Sequence, residues 1–265
     1  MIDLSSSNTV VFKYGGSALG DPENVLQFVH VVADAIQKGV QCVIVHGGGA
    51  EIDRWLMRLE IEKRVIGGLR VTDEATMEIV EMVLSGKANK ALVGLFEANH
   101  VSAVGLSGRD GSLLTAKVLS PQHGRVGKII SVQTKVIEKL LPEFLPIIAT
   151  VASDEYGQAL NVNADLGASA IASALHADQL ILLTDTDGVR RDPADPASTI
   201  DQLSIAEAQE LILTGVADRG MIPKLEAAID AVQNGVKKVL ILNAGIWNKV
   251  EPQSEVARKR FTIVC

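Results

Sequence analysis

Short, uninterrupted apolar runs set the limits on what this chain can fold into: Val10–Phe12, Cys42–Val45, Ala103–Leu106, Ile147–Val151, Gln179–Leu183 and Val239–Leu242. Runs of this kind, without polar alternation, read as strands buried on both faces, which is the habit of parallel sheets. Helical stripes lie between several of them. Behind Asp21-Pro22, read as N-cap and N1, the residues Val25, Phe28, Val29, Val32 and Ile36 share one face, and Gly39 ends the stripe. Alternating strands and helices imply an α/β chain with a mostly parallel central sheet covered on both faces, a three-layer αβα sandwich. With 265 residues, 47% of them hydrophobic, the chain can bury a full core as one large domain or two closely packed lobes.

Ligands of an open parallel sheet collect at the carboxyl ends of its strands, and there the apolar runs give way to glycine and polar loops. The first run leads into Lys13-Tyr14-Gly15-Gly16-Ser17, and the second into His46-Gly47-Gly48-Gly49 followed by a helix from Ala50 to Leu59. Adjacent glycines let backbone N–H groups face an anion, and a following helix adds its positive end. An ordinary strand-to-helix turn is the alternative. His46 reads as a structural histidine. The fifth run ends in Thr184-Asp185-Thr186-Asp187-Gly188, a polar turn at the same edge.

Gly67–Val71 reads as a short extended arm, with Thr72 capping a long helix whose first turn holds Asp73 and Glu74. Arg70, just before that cap, suits either bidentate capture of a substrate carboxylate or a surface ion pair. Leu113–Leu119 and Gly127–Val132 form a protruding hairpin. Asn161 and Asn163 face one side if extended. Asp165, at the mouth of an alanine-rich helix that ends near His176, suits either an N-cap or a site carboxylate. Ser204 and Glu207 make a capping box, Gly215 stops that helix, and Pro223 opens the next. Phe261–Cys265 reads as a final strand.

A net charge of −7, 3% aromatic residues and no long basic run argue against nucleic-acid binding. The two cysteines, Cys42 and Cys265, have neither a disulfide framework nor metal-ligand spacing. No apolar stretch reaches membrane-spanning length and the amino terminus lacks a signal pattern, so a cytoplasmic protein that binds small molecules is expected. Neither a P-loop nor a G-x-G-x-x-G fingerprint is present. Two distant lysines, Lys13 and Lys224, two glycine loops and one carboxylate, Asp165, are instead the parts a phosphoryl transfer needs, because its transition state spreads negative charge over peripheral oxygens.

The chain resembles the acetylglutamate kinases of the amino acid kinase family. The resemblance rests on Lys13-Tyr14-Gly15-Gly16, Val45–Gly49, Gly68-Leu69-Arg70-Val71-Thr72, Ser85–Lys90, Gly105–Gly108, Asn161-Val162-Asn163-Ala164-Asp165, Leu182–Asp185 and Gly220–Lys224. It implies that Lys13 and Lys224 stabilise the transferring phosphoryl group while Asp165 holds their ammonium groups. Gly48, Gly49, Arg70, Asn161 and Asn163 would bind N-acetyl-L-glutamate, and Gly15, Gly16, Asp185, Gly220, Met221 and Ile222 would bind ATP. Mg²⁺ would be held mainly by nucleotide oxygens, with no dedicated protein metal site. Residues 1–176 would form a substrate-binding and dimerisation lobe and residues 177–265 an ATP-binding lobe, in a homodimer or larger homo-oligomer. A kinase for another acylated or carrier-bound acidic amino acid, or a non-catalytic metabolite sensor, would share these motifs. Ser17 stands where many relatives have asparagine, and the segment after Leu242 departs from the family pattern. Because the first strand begins by about Val10, insensitivity to arginine is expected.

Overall fold

A computed structural model describes residues 4, 7–15, 22–192, 194–217, 220–245 and 261–265. In chain order these give β1 (Thr9–Tyr14), α1 (Pro22–Gln37), β2 (Gln41–His46), α2 (Gly49–Arg58), β3 (Val65–Ile66), β4 (Leu69–Arg70) and α3 (Glu74–Glu81). A π-helical segment, Met82–Ala88, joins α3 to α4 (Asn89–Glu97). Then come β5 (Ala103–Ser107), β6 (Leu114–Val118), β7 (Gly127–Val132), α5 (Lys135–Leu140), β8 (Leu145–Ala149), β9 (Val151–Ser153), β10 (Ala159–Asn161) and α6 (Ala164–Ala174). The chain finishes with β11 (Gln179–Thr184), β12 (Gln202–Leu203), α7 (Ile205–Leu213), α8 (Ile222–Gln233), β13 (Lys238–Asn243) and β14 (Phe261–Val264). The result is an α/β fold with mostly parallel strand pairing, as the apolar runs imply.

Two compact units emerge, Met1–Cys42 with Ala168–Cys265, and Val43–Gly167. This differs from the expected division at 176/177. The reason is strand pairing: β1 lies parallel to β11, with Val10 opposite Gln179 and Lys13 opposite Leu182, so the amino-terminal strand belongs with the carboxyl-terminal half.

In the first unit the strand order is β12-β14-β13-β11-β1. The pairs β1·β11 and β11·β13 are parallel; β14 runs antiparallel to β13 and parallel to β12. Phe28 of α1 packs between Phe12, edge-on with centroids 5.6 Å apart, and Tyr14, stacked at 4.7 Å. That contact explains the apolar stripe of α1. Ser204 and Glu207 form the expected capping box at the start of α7.

In the second unit β2, β8 and β5 are parallel, with Ile44 opposite Ile147 and Gly105 opposite the same residue from the other side. A smaller sheet, β10-β9-β6-β7, contains the expected hairpin, and β3 pairs with β4. Ile52 and Leu56 of α2 meet Met77, Val80, Val83 and Leu84 in a core that also takes in Ala149 and Val151. The run Ile147–Val151 is not one strand. It divides at Thr150, with β8 in the parallel sheet and β9 in the smaller one. Among the described residues no helix is long and apolar enough to cross a membrane.

Candidate active site

The glycine loop after β2 is held by a buried polar cluster. His46 is fully buried. Its Nδ1 lies 2.9 Å from the Gly47 carbonyl and its Nε2 lies 3.1 Å from Asn89 Nδ2. A carbonyl can only accept and an amide nitrogen can only donate, so Nδ1 carries the proton and Nε2 accepts. Burial pushes the imidazole down to about 4, against the Gly47 bond and helped by the Lys90 charge. His46 is thus neutral at physiological pH, in keeping with its structural reading. Asn89 Nδ2 also lies 2.9 Å from the Ile147 carbonyl and 3.1 Å from the Leu106 carbonyl, its two protons shared among three acceptors, which joins the middle of β8 and the end of β5 to the same point.

Above this cluster, Gly48 precedes α2 and Gly49 is its first residue. A Cβ on Gly48 would come within 2.7 Å of Leu84 Cδ2, so the loop sits on the π-helical segment only because no side chain intervenes. Arg70 of β4 reaches this loop. Its guanidinium donates to the Gly49 carbonyl at 3.2 Å and meets Asp53 Oδ1 at 2.5 Å. Burial alone would raise the Asp53 carboxyl, but hydrogen bonds from Lys63 and Arg70 outweigh it and lower the pKa. Arg70 therefore takes the ion-pair reading of its sequence position, with Asp53 as partner, and lies at the glycine loop.

The asparagine motif divides its work. Asn161, at the end of β10, donates from Nδ2 to Thr72 Oγ1 at 3.1 Å. Asn163 caps α6: its Oδ1 accepts from the N–H groups of Asp165 at 2.8 Å and Leu166 at 3.2 Å. The N-cap role open to Asp165 thus belongs to Asn163, and Asp165 lies buried in the first turn. Likewise Asp73, not Thr72, caps α3, accepting from the Thr76 N–H at 2.9 Å. Thr72, read in the sequence as that cap and as the last residue of the Gly68–Thr72 motif, is buried between Arg70 and Asn161.

The other candidates lie in the first unit. Lys13 is in β1 and only 7% exposed; Gly15 follows the strand and is buried. Gly16 and Ser17 fall outside the described residues. Asp185 follows β11, exposed, and its carbonyl accepts from Asn243 Nδ2 at 3.1 Å. Asn243 Nδ2 also meets Asp187 Oδ1 at 2.9 Å, which braces the polar turn. Gly220, Met221 and Ile222 lead into α8, and Lys224 Nζ reaches back to the Gly220 carbonyl at 3.4 Å. A shallow, open cleft lies beside Met221, lined by Thr186, Val189, Arg190, Val216, Ala217 and Met221. Of the divergent segment after Leu242, residues 246–260 are outside the described residues. Among those described, no three histidine, cysteine or acidic side chains gather where a metal ion could sit.

A family model described as the amino acid kinase family matches residues 8–243. The chain is 47% identical over 251 residues to a protein named acetylglutamate kinase from Gloeobacter violaceus, covering 91% of this chain and 82% of that one. It is 45% identical over 240 residues to another of that name from Synechocystis, covering 90% and 81%. Among solved structures it is similar to smu.665 from Streptococcus mutans UA159, with a TM-score of 0.81 and 33% identity over 88% of this chain and 94% of that one. Carbamate kinase from Giardia lamblia bound to AMP-PNP shares the fold, with a TM-score of 0.65 and 18% identity over 98% and 99%.

Proposed function

Because the chain belongs to the amino acid kinase family, we propose that it transfers the γ-phosphoryl group of ATP to the side-chain carboxylate of N-acetyl-L-glutamate, a step of arginine biosynthesis. One observation carries this reading: the match to curated acetylglutamate kinases runs through nine-tenths of the chain and most of theirs. The products are ADP and an acyl phosphate. A carboxylate oxygen forms the new bond to phosphorus as the bond to the departing ADP oxygen breaks.

The acceptor needs no general base. A glutamate side chain with a pKa of about 4.3 is already an anion at neutral pH. What the reaction requires is relief of charge between two anions, and that is the work of fixed cations and backbone N–H groups. In our reading Lys13 and Lys224 bear on the transferring phosphoryl group and Asp165 orients their ammonium groups. Gly15, Gly16 and Gly48 donate backbone hydrogen bonds. The acyl amino acid is bound by Gly48, Gly49, Arg70, Asn161 and Asn163, and the nucleotide by Asp185, Gly220, Met221 and Ile222. Mg²⁺ comes with the nucleotide and is held by its phosphate oxygens and water, which fits an ion that gives up its hydration reluctantly. The protein works in the cytoplasm as a homodimer or larger homo-oligomer, whose interface belongs to the acceptor-binding part.

ADP release measured with N-acetyl-L-glutamate, L-glutamate and L-aspartate side by side tests the assignment. The acetylated substrate alone should drive turnover. Equal turnover with free glutamate, or none with any of the three, would refute it.

A further inference from the structure

Thr72 is completely buried, and its one hydroxyl serves two neighbours. Oγ1 donates to the Arg70 carbonyl at 2.9 Å and accepts from Asn161 Nδ2 at 3.1 Å. A hydroxyl has a single proton, and a carbonyl can only accept it. The group that Asn161 presents to Thr72 must therefore be its NH₂, which fixes the bearing of the whole amide.

The backbone around Thr72 is stitched as tightly. Its N–H donates to the His123 carbonyl at 3.0 Å and its carbonyl accepts from the Arg125 N–H at 2.5 Å, a parallel bridge across from Gly124. A Cβ on Gly124 would lie 2.4 Å from the Thr72 carbonyl oxygen, and φ there is +63°, so only glycine lets the two segments approach. Asn161 is fastened to the same segment, its N–H donating to the Arg125 carbonyl at 2.8 Å. Arg70, Thr72, Asn161 and the 123–125 segment thus form one closed polar ring, with the Thr72 hydroxyl at its centre.

We propose that Thr72 is a positioning residue for acceptor recognition: its hydroxyl sets the strand that carries Arg70 and the amide of Asn161 in one mutual geometry. This rests on the reading that Arg70 and Asn161 bind the acyl amino acid. Thr72 touches no substrate. It acts by removing the freedom of two groups that do, so its loss is felt as weaker acceptor binding and leaves the nucleotide untouched.

The test compares Thr72→Val, which keeps shape and loses both hydrogen bonds, with Thr72→Ser, which keeps both and loses a methyl group. The valine variant should raise KM for N-acetyl-L-glutamate about tenfold, as expected for losing a buried hydrogen-bonding group. KM for ATP should stay within about twofold, and serine should restore the acceptor KM to within about threefold. Should valine fail to yield folded protein, Thr72→Cys, with a weak donor of similar size, carries the same expectation. A wild-type acceptor KM in the valine or cysteine variant, or an equal rise in both KM values, overturns the proposal. Arg70→Ala and Asn161→Ala, run in parallel, separate the two layers. If neither raises the acceptor KM in an active enzyme, the reading of the site fails. If both do and Thr72→Val does not, the role of Thr72 fails alone.

Discussion

The two units differ in how closely their buried polar fastenings approach the candidate binding residues. In the first, one such fastening is at the amino-terminal edge: Asp178, just before β11, accepts from the N–H groups of Asn8 at 2.6 Å and Thr9 at 3.1 Å and meets Lys237 at 2.5 Å. Gln179 adds a bond to Ser7 at 2.6 Å. Its carboxyl edge, where the candidate nucleotide residues lie, holds the exposed Asp185 and the braced turn around Asn243. In the second unit a buried fastening is at the carboxyl edge itself, where Asn89 and Thr150 hold His46, the last residue of the strand that presents the glycine loop. On the proposed reading of the site, stability and binding are separable at the Asp178 fastening and share the same residues at the His46 cluster.

The largest effect that follows comes from charge in the first unit. Lys224→Ala and Lys13→Met, the latter keeping most of the buried stem, should each lower kcat on the order of 10²-fold or more. Steady-state kinetics with thermal unfolding alongside makes the check. Wild-type turnover in either variant would remove that lysine from the phosphoryl site, and a kcat loss matched by collapse of the fold would erase the separation claimed for this unit.

His46 sharpens the contrast from the other side. An unfolded histidine takes a proton below about 6.5, whereas the buried one does so only near 4. Between those values the unfolded chain holds the extra proton, so stability falls as pH falls through this window. The loss reaches about 3 kcal/mol at its lower end. Denaturant titrations at pH 7 and pH 4.5 should differ accordingly, and His46→Gln should flatten that part of the profile. Because the same ring holds the Gly47 carbonyl, His46→Gln should also raise the acceptor KM severalfold. A stability change with an unaltered acceptor KM would show that the second unit separates the two properties after all.

Much of this was open to reading from the residues. The apolar runs identify the parallel strands because burial on both faces leaves no polar alternation, and Ser204 with Glu207 forms its capping box from local geometry alone. What escaped depends on contacts between distant segments. Thr72 and Asp73 are both capable caps in adjacent positions, and the choice goes to Asp73 because the Thr72 hydroxyl is committed to Arg70 and Asn161. Asn163 and Asp165 compete in the same way, and Asn163 wins because it stands immediately before the first helical residue. The break at Thr150 has no sequence mark: Leu145–Ala152 stays buried throughout, so a strand that changes sheets looks like one that continues. The placement of β1 beside β11 likewise joins residues some 170 apart in sequence, which local patterns do not encode.

The smallest expected effect is also the cleanest probe of separability. The Lys237 hydrogen bond, with those from Thr9 and Asn8, holds the Asp178 carboxyl below its ordinary range despite burial. The stability it contributes is present above about pH 4 and lost as pH falls through the lowered value. Asp178→Ala removes the acceptor for two backbone N–H groups and should cost about 1–2 kcal/mol. Asp178→Asn keeps an acceptor oxygen and gives up only the charge opposite Lys237, whose side chain is 75% exposed. That variant should lose under about 1 kcal/mol, because an ion pair facing solvent is worth little. Neither should move KM for ATP or for the acceptor, since the fastening is at the edge of the strands remote from the polar turns. A change in either KM with Asp178→Asn, whose geometry is nearly preserved, would mean that strain at the amino-terminal edge travels the length of β11, and the two units would then differ in degree and not in kind.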